Sequence, residues 1–295
     1  MDNARGSLYM VMAMAAFALE DMFIKAASAQ VPVGEILILF GFGGMCAFIL
    51  LTWRRRERVL HPAILSKPIL LRVICEVTGR VFFTLAIALT PISSASAILQ
   101  ATPLVVVMGA AIFFGEKVGW RRWMAIMIGF IGVLMIIRPG LAGFEASSLL
   151  ALIGMLGFAG RDLATRAAPP ALSNMQLGVY GFFIMIPTGL AMVLYSGGGV
   201  IPSALSAAQI AGATVFGTLA YYALTVAMRT GEVSVVTPFR YTRLVFALIV
   251  GALVFSERPD FMTLLGSAII IGGGIYTLLR SRKAQTVAAV PVKVS

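Results

Sequence analysis

Nine ionisable residues lie inside otherwise apolar stretches of this chain: Glu20, Asp21, Arg72, Glu76, Arg80, Arg161, Asp162, Arg240 and Arg243. Arg72, Glu76 and Arg80 stand at i, i+4 and i+8, which stacks them as one stripe on a helix. Arg72 is near the end of its stretch, where a long side chain can reach outward, whereas Arg80 is about halfway along. Arg240 and Arg243 are one turn apart, with Tyr241 and Thr242 between them and Pro238 just before. Proline lacks an N–H and leaves a backbone carbonyl free toward a cavity. Two guanidinium groups within a turn make a fork for a carboxylate or phosphate. The same arginines can instead pair with Asp21 or Asp162 across a bundle, and a site can exchange one partner for the other. Arg80, Arg240 and Arg243, with Gln100 and Tyr241, are therefore the candidate substrate contacts. Adjacent helical residues point about 100° apart, so Glu20-Asp21 and Arg161-Asp162 cannot each present both members to one cavity. Glu20 and Asp162 are the candidates to bind an amine or a proton. Asp21, Glu76 and Arg161 are expected as structural charge partners.

A charge at the centre of a bilayer costs at least ~2.5–3.5 kcal/mol on insertion scales, and composition makes a bilayer the expected solvent. The chain is 60% hydrophobic and 12% charged, with a mean hydropathy of +0.97. Soluble domains carry about 25% charged residues. Crossing the bilayer takes ~20 apolar residues. Ten stretches come near that length, at roughly 7–27, 34–52, 69–90, 92–114, 121–138, 147–166, 174–195, 206–228, 232–255 and 261–280. The expected fold is all-α and integral to the membrane, with ten transmembrane helices. The first stretch holds Glu20, Asp21 and Lys25 and lacks a small-residue cleavage site, so it reads as a span.

The net charge of +11 is distributed by side of the membrane. Arg54, Arg55, Arg56, Arg58 and Lys67 follow the second stretch, and Lys117, Arg121 and Arg122 follow the fourth. Arg166 and Arg229 follow the sixth and eighth, and Arg280, Arg282, Lys283 and Lys293 follow the tenth. With Arg5 these make fifteen basic residues on one face, against Lys25, Arg138 and Arg258 on the other. The positive-inside rule then places both termini in the cytoplasm of a bacterial-type inner membrane. The basic balance reports topology and a lipid partner, not nucleic acid.

The chain also repeats itself. Phe17 to Ala27 (FALEDMFIKAA) returns 141 positions later as Phe158 to Ala168 (FAGRDLATRAA). Phe83 to Leu89 matches Tyr222 to Met228, Gly41-Phe42 matches Gly181-Phe182, and Phe114-Gly-Glu116 matches Phe255-Ser-Glu257, at offsets of 139 to 141. Two five-helix halves follow, 5–139 and 146–282, with 283–295 as a disordered cytoplasmic tail. Five is odd, so the second half enters the membrane inverted, an architecture whose binding site lies between the halves near the midplane. Glycines at 41, 43 and 44, at 154, 157 and 160, and at 272–274 fit close helix packing.

Other chemistry is poorly supplied. Cys46 and Cys75 are expected as buried packing thiols, and His61 is the single histidine, in a basic loop. Neither a metal site, a resident cofactor nor a nucleophile–base pair follows from them, so an enzyme is not expected. No glycine run has the strand before it or the Lys-Ser/Thr after it that a phosphate-binding loop needs.

Gln100-Ala-Thr-Pro103-Leu followed by Phe114-Gly-Glu116, then Tyr222-Ala-Leu, Phe255-Ser-Glu257 and a glycine-rich last helix, resemble the EamA-type members of the drug/metabolite transporter superfamily. The resemblance covers roughly residues 5–282. It implies ten helices in two inverted five-helix repeats and a small-molecule substrate. The position matching Pro103 in the second half reads Arg243 or Leu244, a departure from the family pattern. The expected function is a secondary transporter that exports a small carboxylate-bearing metabolite, such as an amino acid or a compound derived from one, with proton coupling as an option. An importer of a vitamin or other anionic metabolite is the alternative. A structural or assembly membrane protein is a third reading, which fits the glycines but not five arginines at membrane depth.

Overall fold

The computed structural model describes residues 3–115, 120–137, 146–196, 198–230, 236–269 and 271–272. Among the described residues every regular element is helical. The elements are α1 (Asn3–Ser28), α2 (Val33–Arg54), α3 (Lys67–Leu89), α4 (Ile92–Leu99), α5 (Thr102–Phe114) and α6 (Trp120–Ile137). After them come α7 (Ser148–Arg166), α8 (Asn174–Phe183), α9 (Met185–Ser196), α10 (Ala204–Thr230), α11 (Thr242–Phe255) and α12 (261–269). Two 3-10 turns, Pro62–Leu65 and Thr237–Tyr241, complete the set. The expected tail at 283–295, Glu116, Lys117 and the end of the last span lie outside the described residues.

Polarity runs opposite to that of a soluble protein. Phe113 is 74% exposed and Leu253 80%, while Glu20 is 0% and Arg72 1% exposed. Among the described residues six helical segments are long and apolar enough to cross a membrane, including Asn3–Ser28, Val33–Arg54 and Ala204–Thr230. Lipid against the aliphatic surface and charge in the interior is the arrangement a multi-pass membrane protein requires.

Three expected spans depart from a single continuous α-helix among the described residues. Between α4 and α5, Gln100 N–H and Ala101 N–H bond to Ala97 O and Ile98 O in a 3-10 pattern, both at 3.1 Å. Pro103 has no N–H for the carbonyl of Leu99, and the Thr102 hydroxyl donates to that carbonyl instead at 2.5 Å. In the second half the described part of the equivalent span, from residue 236 on, holds a 3-10 turn, Thr237–Tyr241, running into α11. A milder break at Ile184, three residues before Pro187, separates α8 from α9.

The repeat is visible in how chain ends are tied. α5 and α11 both stop at a left-handed residue, Gly115 (φ 66°) and Ser256 (φ 52°), 141 positions apart. Their N–H groups bond to Ala110 O and Gly251 O, which are also 141 apart. Helix contacts obey the same exchange. α1 packs along α10 as α7 packs along α3, and α1 meets α11 as α7 meets α4 and α5.

The α3–α7 contact is built on glycine. A Cβ at Gly157 would stand 2.3 Å from Gly79 N, and one at Gly154 would stand 2.8 Å from Phe83 N. Gly157→Ala is expected to push the two helices apart and cost about 1–3 kcal/mol. A lowered melting temperature in detergent would register it, while Gly272→Ala, with nothing within 4 Å of the added carbon, should leave the melt unchanged. The cysteines differ from expectation. Cys46 is exposed, because α2 turns Gly41 and Gly44 toward Phe182 and leaves Cys46 on its outer side. Cys75 is half-buried, with its sulfur against Gly160.

Candidate functional site

The interior charges meet where α1, α3, α7, the Thr237–Tyr241 turn and the start of α11 converge. Within the duplicated segment Phe17, Glu20 and Asp21 recur as Phe158, Arg161 and Asp162, so α1 and α7 present the same register. The two aspartates do the same job: Asp21 receives Arg243, and Asp162 receives Arg240. The neighbouring position has reversed its charge, and its partner has reversed with it. Glu20 pairs with Arg80, whereas Arg161 lies 3.3 Å from Glu76, one turn earlier on α3. Arg161 also holds Asp162 Oδ1 at 3.0 Å. The alternating stripe on α3 therefore serves both halves.

Aromatic rings floor these guanidinium groups. Arg243 lies 4.8 Å over the Phe17 ring, and Arg161 lies 4.7 Å over the equivalent Phe158. Arg80 sits 4.9 Å over Phe40. A cation against a desolvated ring face gains on the order of 2 kcal/mol, which helps hold arginine at this depth.

Arg72 does not reach outward as its position suggested. It is turned inward, where its Nε donates to Thr165 Oγ1 at 2.9 Å and its terminal nitrogen donates to the Tyr221 hydroxyl. Tyr221 in turn donates to Glu76 Oε2 at 2.9 Å. Thr165 is the residue that spacing alone did not assign to the network.

The structure thus gathers Glu20, Asp21, Glu76, Arg80, Arg161, Asp162, Arg240 and Arg243 into one buried cluster. All four carboxylates carry an arginine, so ion pairing does not divide Glu20 and Asp162 from Asp21 and Glu76. Gln100 and Tyr241 stand apart at equivalent interruptions. Gln100 Nε2 turns back to Ser96 O at 3.0 Å, and Tyr241 packs in the apolar core. Among the described residues five buried arginines face four buried carboxylates, which leaves one positive charge in excess. A cavity of about 310 Å³ lies away from the cluster, at the end of the bundle that carries Ser93, Ser148 and Glu257. The cluster itself is closed, with each of its arginines no more than 5% exposed.

The model of the EamA-like transporter family matches residues 4–138 and again 146–279. The chain belongs to the EamA-like transporter family. It is a membrane transporter, multi-pass in the inner membrane. Curated relatives of this transporter differ in cargo and direction. A pseudopaline exporter, CntI, from Pseudomonas aeruginosa is 27% identical across 94% of this chain and 97% of its own length. A riboflavin transporter from Vibrio cholerae is 27% identical across 90% of each chain. An S-adenosylmethionine uptake transporter from Rickettsia felis is 24% identical across 70% of each. A solved crystal structure superposes on 95% of this chain and 99% of its own, with a TM-score of 0.72 at 17% identity. That likeness concerns the fold.

Proposed function

We propose that this transporter is a ten-helix secondary carrier of two inverted five-helix repeats, both termini cytoplasmic, that exports a small carboxylate-bearing metabolite by alternating access. An amino acid or a compound derived from one fits best. The observation that carries the reading is the excess, among the described residues, of five buried arginines over four buried carboxylates that they share. Excess buried charge is costly, and a cargo carboxylate entering between Arg80, Arg240 and Arg243 offsets it. Arg240 and Arg243 release Asp162 and Asp21 as they take the cargo, and the freed acids make exchange of partners a means of switching. Glu20 and Asp162 are the groups that take the cargo amine or a coupled proton. Gln100 and Tyr241 flank the site from the two interrupted spans, while Asp21, Glu76 and Arg161 keep the helices in register. Rocking of one half against the other about this cluster completes the cycle.

Metabolite profiles of medium and cytoplasm from deletion and overexpressing strains test the reading. One carboxylate-bearing compound should accumulate outside the overexpressor, and the absence of any reproducible difference would remove export. The S-adenosylmethionine uptake relative favours a second reading in direction, import, with a vitamin or other anionic metabolite as the cargo. Uptake of labelled compound by intact cells, set against efflux from preloaded cells, separates the two directions.

A further inference from the structure

Buried hydroxyls in these helices mostly bond to the carbonyl four residues earlier. Thr52, Thr90, Thr165 and Thr225 do so at 2.7–2.8 Å. Ser96 and Thr237 stand out. Both are 0% exposed, and among the described residues neither hydroxyl oxygen has a hydrogen-bond partner. An unmade hydrogen bond in the interior opposes folding, so two of them call for a reason. They stand 141 positions apart, in the same register of the two interrupted spans. Each lies four residues before the equivalent interruption residue, Gln100 or Tyr241.

On α4 the orphan hydroxyl lies one turn below a residue that lines a cavity. Ser93, Ser96 and Gln100, at i, i+3 and i+7, share one face of the span. Ser93 lines the cavity of about 310 Å³, together with Ser94, Ser148, Glu257 and Arg258. Ser96 sits three residues deeper than Ser93, about 4.5 Å further into the span at 1.5 Å per residue. Glu257 closes the mouth by accepting from Ile92 N at 2.8 Å and Ser93 N at 3.0 Å, with Lys25 3.8 Å away.

We propose that Ser96 and Thr237 are cargo-contacting residues on the two halves of one transport path, Ser96 on the outer half and Thr237 on the inner half. Each hydroxyl bonds a polar group that sits beside the cargo carboxylate (an amine, amide or hydroxyl) as the molecule moves between one face and the arginine cluster. In the closed arrangement neither is in use, which accounts for both being unpartnered. The assignment deepens the alternating-access reading and rests on it for its sidedness.

Thiol accessibility tests the path. Starting from C46S/C75A, single cysteines replace Ser96 or Thr237, and the membrane-impermeant anion methanethiosulfonate ethylsulfonate is added to intact cells or to inverted membrane vesicles. Ser96→Cys should be labelled in cells and Thr237→Cys in inverted vesicles. Both should react about 10- to 1,000-fold more slowly than loop thiols at Ser196 or Arg55, because the open forms are minor states. Lipid-facing Phe113→Cys should stay unlabelled from either side. Labelling with both sides reversed would keep the path but overturn the cytoplasmic placement of the termini. No labelling of Ser96→Cys while Ser93→Cys reacts would end the path at the cavity and overturn the proposal. Ser96→Ala gives an independent readout. It removes an unsatisfied group, so the melting temperature should hold or rise while transport falls about two- to tenfold, the worth of one hydrogen bond. Unchanged transport in Ser96→Ala would also overturn the proposal.

Discussion

Arg240→Gln is expected to yield a folded, membrane-inserted protein that transports nothing measurable. Folding survives because Asp162 keeps a second partner: Arg161 donates to Asp162 Oδ1 through Nε at 3.1 Å and through a terminal nitrogen at 3.0 Å. Removing Arg240 therefore does not strand a buried carboxylate. It does remove the excess positive charge and one arm of the fork with Arg243. Loss of one partner in a buried charged contact costs about 2–5 kcal/mol of affinity, or roughly 30-fold and upward. Arg240→Lys restores the charge without the planar pair of donors and should recover only part of the activity. Initial transport rates in vesicles, normalised to protein in the membrane, measure both variants. Parental rates in Arg240→Gln would remove Arg240 from the cargo site.

This asymmetry also explains which features could be read along the chain. Apolar runs and the 141-residue offset are local or periodic properties, so helix positions and the paired ends at Gly115 and Ser256 follow from them. Partner choice is not local. Asp21 meets Arg243 across 222 positions, and Arg80 takes Glu20 rather than Glu76, its neighbour one turn away on α3. Arg72 looked free to reach the interface because its inward partners, Thr165 and Tyr221, lie 93 and 149 residues on. The break at Gln100–Ala101 depended on Pro103, which also fits a continuous helix as a kink. The break was decided by which donor reached the Leu99 carbonyl.

Arg80 is the residue for which structural and cargo roles overlap most, and a double substitution separates them. Glu20 is fully buried, its Oε1 is held by Arg80, and its Oε2 has no partner. Gly217 packs close to Oε2, where an added Cβ would stand 3.0 Å away. Arg80→Gln alone therefore leaves an uncompensated carboxylate in the interior, at a cost of about 3–5 kcal/mol. That is a large part of the ~5–15 kcal/mol that typically holds a folded protein together, so accumulation in the membrane should fall sharply. Adding Glu20→Gln removes the stranded charge and leaves two amides able to bond each other, and accumulation should return to near the parental level. Transport is then the deciding measurement. A guanidinium that only neutralises Glu20 becomes dispensable once Glu20 is neutral, and the double variant would transport as well as Glu20→Gln alone. A guanidinium that receives the cargo carboxylate is missed whatever stands at position 20, and the double variant folds but transports well below Glu20→Gln alone, which is the result expected here.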